Sequence, residues 1–153
     1  MIVVHDLDGD GNRKTINSFD EAFEIGKQVD IFVYYSIPSF EYWLLLHNDF
    51  LDANLTREVC ADKVKNYVNA KRKEKGQARL HGEKHKTEPG LFFCFGGIDG
   101  ANRARENATK RWSNGYPPKK PSDVRPSTNF YLLLDALKDF SDKQKCLKDH
   151  LFD

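Results

Sequence analysis

The chain has 153 residues, 39% of them hydrophobic and 31% charged, with a formal net charge of +1, which suits one compact domain over residues 1–153 with a modest core. No run of about 18 apolar residues occurs, and the opening MIVVHDLDGDG has neither a basic stretch nor a long apolar one. Neither a membrane span nor a secretion signal is expected, and a cytoplasmic location is. The three cysteines, Cys60, Cys94 and Cys146, form no Cys-x-x-Cys pair and read as reduced thiols rather than a disulfide frame or zinc knuckle.

The small net charge hides a segregation. Residues 1–55 hold ten acids and three Lys/Arg, a net of −7, whereas residues 56–126 hold seventeen Lys/Arg and eight acids, a net of +9. An acidic start and a basic middle suit a protein that holds a divalent cation with one and a polyanion with the other. Solvated helix faces that differ in sign are the plainer alternative.

Ile2–His5 form a β-type apolar run that ends in Asp6-Leu7-Asp8-Gly9-Asp10-Gly11. Acids at the C-terminal end of a strand sit where α/β sheets take ligands, and Asp6 and Asp8 supply hard oxygens suited to Mg2+. An Asp/Gly turn closing the strand uses the same residue types. The D-x-D-x-D-G spacing also opens a calcium loop, but counting from Asp6 puts Asn17 where a bidentate Glu is expected. A dedicated Ca2+ site would need an enlarged loop recruiting Asp20 or Glu21.

Ser18 and Glu21 make a capping box, so residues 18–28 are expected to be helical, with Phe19, Ala22, Phe23 and Gly26 on one face. Ile31–Tyr35 is the next strand, giving a βαβ unit. The stretch Phe40–Leu46 is apolar but for Glu41 and must be covered on most sides. Ser39 is placed to cap it. A carboxylate there needs either an ion-pair partner or a role in an acidic site.

Thr56 is expected to cap a helix running to about Lys75 with Cys60, Val64, Tyr67 and Val68 inward. Residues 71–86 carry seven Lys/Arg and two Glu and read as a mobile basic loop, with Lys71, Arg72, Lys73 and Arg79 available to phosphates. His81 and His85 are spaced as metal ligands on a helix, though Gly82 argues for loop. Leu91–Phe95 is either a third strand or a buried turn. Ala101, Ala104, Ala108 and Trp112 mark a helix from Ile98 that turns Arg103 and Arg105 outward. Pro117, Pro118, Pro121 and Pro126 mark an extended loop carrying Lys119 and Lys120. Ser127 or Thr128 then caps a helix with Phe130, Leu133, Leu134, Leu137 and Phe140 inward, and Ser141 starts a short last helix.

Two motifs, Pro38-Ser39-Phe40-Glu41-Tyr42-Trp43-Leu44-Leu45-Leu46-His47 and Pro126-Ser127-Thr128-Asn129, resemble the RloB-like family of bacterial phage-resistance proteins. The Ala-rich helix between them and Val3-Val4-His5-Asp6-Leu7-Asp8 before them fit the same likeness. The resemblance implies a Toprim-superfamily fold, in which a glutamate on an earlier strand and an Asp-x-Asp pair hold Mg2+ for phosphodiester chemistry. Carried over, Asp6 and Asp8 are the metal pair, with Asp10 an addition. Only five residues precede Asp6, so the strand bearing that glutamate is expected to be absent from this chain: the reading frame is naturally short, the gene is split or trimmed, or another chain, a second copy included, supplies it, with Glu41 partly substituting if the strand ends bring it beside Asp8.

The expected architecture is a partial Toprim-like three-layer α/β domain. A βαβα metal-site core over residues 1–47, with a short, mostly parallel sheet, precedes a helical, basic part over residues 48–153. The expected function is a Mg2+-dependent (or Mn2+-dependent) nuclease of a phage-defence system. Asp6, Asp8 and Glu41 are its catalytic candidates, and Lys71, Arg72, Lys73, Arg79, Arg103, Arg105, Lys119 and Lys120 would hold nucleic acid. The alternative is a catalytically incomplete interaction protein that assembles with itself or with another chain, an associated ATPase being one such partner.

Overall fold

The computed structural model describes the backbone of residues 2–6, 13–51, 55–110, 112 and 120–151, and the side chains of residues 15–51, 55–110, 112 and 120–141. Strand β1 (Ile2–Asp6) leads to helix α1 (Arg13–Gln28) and strand β2 (Phe32–Ile37). The short helix α2 (Phe40–Leu46) and the long α3 (Arg57–Glu74) follow, then a 3-10 turn at Lys84–Thr87, α4 (Leu91–Cys94) and α5 (Gly97–Thr109). A second 3-10 turn at Pro121–Asp123, the two-residue strand β3 (Ser127–Thr128) and α6 (Tyr131–Leu151) complete the order. The sheet is β1-β2-β3. β1 and β2 are parallel, with Asp6 opposite Ser36, and β3 is antiparallel to β2, with Ser127 opposite Ile37. The result is a helix-rich mixed α/β chain whose small sheet has one parallel and one antiparallel pairing. Among the described residues no helix is long and apolar enough to cross a membrane.

α1 begins at Arg13, so Ser18 lies inside the helix and the expected capping box does not form. Ile16 extends the apolar stripe one turn earlier, and with Phe19 and Phe23 it covers Tyr35 and Ile37 of β2. Phe19 and Phe23 meet the Tyr35 ring edge-on at 6.0 and 5.8 Å. Ala22, expected on this face, is exposed. The helix ends with Asp30 in the left-handed region (φ 54°) and the Ile31 amide donating to Gly26 O at 2.8 Å, a Schellman closure that needed no glycine.

α2 is the hub of the fold. Every residue from Glu41 to Leu46 is buried, against α3 on one side and α5 on the other. Its three leucines contribute roughly 1.5–3 kcal/mol each by leaving water. Ser39 precedes it in extended conformation but makes no side-chain bond to the helix amides, so the expected cap is absent. At the other end, side chains of α5 take the open carbonyls: Asn107 Nδ2 donates to Leu46 O and Arg103 Nε to His47 O, both at 2.9 Å. His47 is fully buried and its Nδ1–H donates to Phe95 O at 3.1 Å. Burial holds this imidazole below its ordinary 6.5, so it is neutral. Helix and helix come this close because Gly100 has no side chain. A Cβ there would lie 1.9 Å from Phe95 O and 2.8 Å from His47 Nδ1.

α3 runs as expected, with the Thr56 hydroxyl accepting from the Val59 amide at 3.3 Å and Cys60, Val64 and Val68 fully buried. The open alternative at residues 91–95 resolves as helix, with Tyr67 stacked on Phe95 at 4.6 Å. The C-terminal expectations need correction. Ser127 and Thr128 form a strand rather than a helix cap, and α6 is continuous through Ser141. Leu137 and Phe140, expected inward, are 50% and 62% exposed.

Candidate functional site

The strand ends gather at one edge of the sheet. The parallel pairing puts Asp6 level with Ser36, and β3 enters beside Ile37. Residues 126–129 are knitted onto β2 by side chains as well as backbone. Thr128 Oγ1 donates to Tyr35 O at 2.8 Å and lies 2.8 Å from Ser36 Oγ. Asn129 Oδ1 accepts from the Tyr35 amide at 2.7 Å while its Nδ2 donates to Val33 O at 3.2 Å. An Asn side chain thus completes the ladder that β3 is too short to finish. Asp20 of α1 accepts from both the amide and the hydroxyl of Ser122, tying the 3-10 turn to this edge. Its carboxylate is engaged there, and Asn17 and Glu21 are exposed on the helix.

A second cluster lies at the start of α2. Glu41 is 5% exposed, with Lys86 Nζ 3.5 Å and His85 Nε2 3.8 Å from its Oε1. Burial pushes this carboxyl up, but the neighbouring Ser39 hydroxyl, its own amide and Lys86 outweigh that and hold it below its ordinary 4.5. A cavity of about 150 Å3 opens beside it, walled by Phe40, Leu44 and Leu91 and by Arg57, His85 and Lys86. Cys60 packs nearby, and burial together with the Glu41 charge pushes its thiol up to about 12, so it stays protonated. Lys86 and Arg57 share this cavity with Glu41, which suits an internal ion pair better than a metal ligand.

A family model described as RloB-like protein matches residues 1–137. The chain belongs to the RloB-like family. No curated protein and no solved structure matches it. The match spans β1, the α2 hub and the Ser127–Asn129 segment, so the features that build the strand edge of this RloB-like chain all lie inside it.

Of the residues singled out from the sequence, Asp6 is placed by its backbone at the end of β1, while Asp8 and Asp10 lie outside the described residues. Glu41 lies beside Lys86 and His85. The basic candidates divide. Arg72 is spent internally, donating from Nε to Ala78 O at 2.7 Å and from Nη1 to Glu88 at 2.5 Å. Arg103 is turned back onto His47 O, and Arg105 pairs with Asp135 and lies 5.7 Å over the Tyr131 ring. Lys71 meets Glu74 in an exposed pair at 3.1 Å, Lys73, Arg79 and Lys120 are exposed, and Lys119 lies outside the described residues. The 71–86 segment is not a loose loop. Asn69 binds both Leu80 O and the Leu80 amide, at 3.1 and 2.8 Å, and His85 is buried. Among the described residues no three potential metal ligands lie together, and His81 is exposed while His85 is buried. Sequence reasoning missed His85 as the partner of Glu41, and Asn129 and Asn107 as the side chains that finish a ladder and a helix end. Nothing in Lys84-His85-Lys86 marks the histidine.

Proposed function

We propose that this RloB-like chain is a Toprim-like, metal-dependent nucleic-acid phosphodiesterase acting in phage defence. The observation that carries the reading is the position of Asp6. The Asp-x-Asp segment leaves the sheet at the C-terminal edge of a parallel pair, where α/β folds take their ligands. Asp6 and Asp8, with Asp10, supply the hard oxygens that Mg2+ or Mn2+ accepts, and neutral or sulfur donors that would favour another metal are absent from that segment. The bound cation would lower the charge cost at the attacking and leaving oxygens of the phosphodiester. The chain's own work is to fix the acids on a strand end and to hold the phosphate backbone with the basic residues around the end of α3. Glu41 stays outside the metal set, because its carboxylate faces Lys86 and His85. Nuclease assays on DNA and transfer RNA with Mg2+ or Mn2+ test the reading. Cleavage by the wild type that falls at least a hundredfold in Asp6→Ala plus Asp8→Ala is expected, and cleavage unchanged by the double substitution contradicts it.

One observation favours a second reading, an interaction protein that completes itself with another chain. β1 has a sheet neighbour on one side only among the described residues, and Phe32 of β2 is 63% exposed with Val29 and Ile25 exposed nearby. A second copy, or a partner such as an associated ATPase, would pair with that edge and cover these side chains. Absence of cleavage with every metal, together with a mass above that of the monomer in solution, selects this reading over the first.

A further inference from the structure

The C-terminal end of α3 is bracketed by two pockets that share one residue. The first, about 310 Å3, is lined by Lys71, Arg72, Lys75, Gln77, Glu88 and Phe93 among others. The second, about 390 Å3, is lined by Asn66, Asn69, Lys73, Gln77 and Arg79. Both lie near the lower end of the roughly 300–1,000 Å3 range of small-ligand pockets. Gln77 belongs to each because the helix closes sharply beneath it: Gly76 stands at φ 67°, its amide donates to Lys73 O at 3.0 Å, and the Gln77 amide donates to Arg72 O at 2.9 Å. Tied also by Arg72 to Ala78 and by Asn69 to Leu80, the bridge between the pockets is a fixed feature.

We propose that this double pocket binds single-stranded nucleic acid, with one base stacked on Phe93 and the flanking phosphates on Lys71 and Lys75 on one side and Lys73 and Arg79 on the other. The inference rests on the nucleic-acid reading above only for the class of polymer. Phe93 is 78% exposed, although it belongs to a short helix whose Leu91 and Cys94 are turned inward. Gly90 (φ 79°) and Gly96 (φ 89°) bracket α4, and the Phe92 ring meets that of Phe93 edge-on at 5.6 Å. An exposed aromatic face beside cations is what an unpaired base with its phosphate requires.

The charges agree with that occupant. The first pocket carries Lys71, Arg72 and Lys75 against Glu88, and Arg72 already satisfies Glu88, which leaves two lysines to the ligand. The Lys71–Glu74 pair is exposed and yields readily to a phosphate. The second pocket carries Lys73 and Arg79 with no acid in its lining. A duplex offers such a site its phosphates but no free base face, so only a single strand uses both the ring and the cations.

Fluorescence anisotropy with labelled thymidine and uridine 12-mers and a matched hairpin duplex, on the full chain in EDTA, tests this. Phe93→Ala is expected to weaken single-strand binding about 5- to 150-fold, the range conferred by stacking one base on a ring. Duplex binding should be unchanged, Phe93→Trp should retain affinity with its fluorescence quenched by the strand, and Lys73→Gln plus Arg79→Gln should flatten the salt dependence. Equal loss for strand and duplex, no loss in Phe93→Ala, or no strand binding overturns the proposal. Because EDTA stops metal chemistry, strand binding through Phe93 without cleavage in the separate assay retains this inference and removes the hydrolytic one. Cleavage with Phe93-independent binding does the reverse.

Discussion

Glu41 shows how a single residue that violates its surroundings can be read. Its carboxylate stands in a stretch that is otherwise apolar, and the structure answers the cost with Lys86 at 3.5 Å, His85 at 3.8 Å and Arg57 on the same cavity wall. Since the folded carboxyl titrates below its ordinary 4.5, an unfolded chain takes up the proton first as the pH falls. The stability it contributes is therefore complete above about pH 4.5 and is lost as the pH drops below that value toward the folded one. Chemical denaturation between pH 3 and 7 should show the wild type losing more stability in acid than Glu41→Gln. Parallel pH profiles for the two proteins would show that Glu41 is not held by this cluster. The need for a partner was legible in the sequence. The identity of the partner was not, because the 3-10 turn that brings His85 and Lys86 to α2 carries no periodic pattern.

At the scale of elements, α3 was legible because burial and capping agree on it, with Thr56 as its cap and the expected inward face, whereas α2 was legible from its apolar run alone. Where one signal serves two structures, the sequence misleads. Ser127-Thr128-Asn129 reads as a cap before a leucine-rich helix, yet the same hydroxyls and amide pair with β2. Hydrogen-bonding side chains at a helix start can equally extend a sheet, and only the neighbouring strand decides. Asn129→Ala removes both bonds and leaves the buried Tyr35 amide without its acceptor. A loss of about 1–3 kcal/mol is expected, read as a lower midpoint in urea with unchanged slope. A change within about 0.5 kcal/mol would mean that β3 holds without its side-chain ladder. The leucine stripe misled in a different way. Its period continues to Leu137 and Phe140, beyond the last point at which α6 has a described surface to cover.

For the molecule as a whole, the division of charge read along the chain survives in space only in part. Arg72, Arg103 and Arg105 are used to bind helices and turns to each other, so among the described basic candidates those left exposed to a polyanion are Lys71, Lys73 and Arg79 around the end of α3 and Lys120 ahead of the second 3-10 turn. Linear charge counts cannot distinguish a guanidinium that pins a carbonyl from one that faces solvent. If the aspartates at and after the end of β1 hold a divalent cation, Mn2+ binding followed by electron paramagnetic resonance reads it out. The wild type should immobilise one Mn2+ per chain or per assembled site, displaced by Mg2+, and Asp6→Asn plus Asp8→Asn should weaken that binding at least tenfold while the fold stays intact. Equal Mn2+ binding by the two proteins, or none by the wild type, would contradict it.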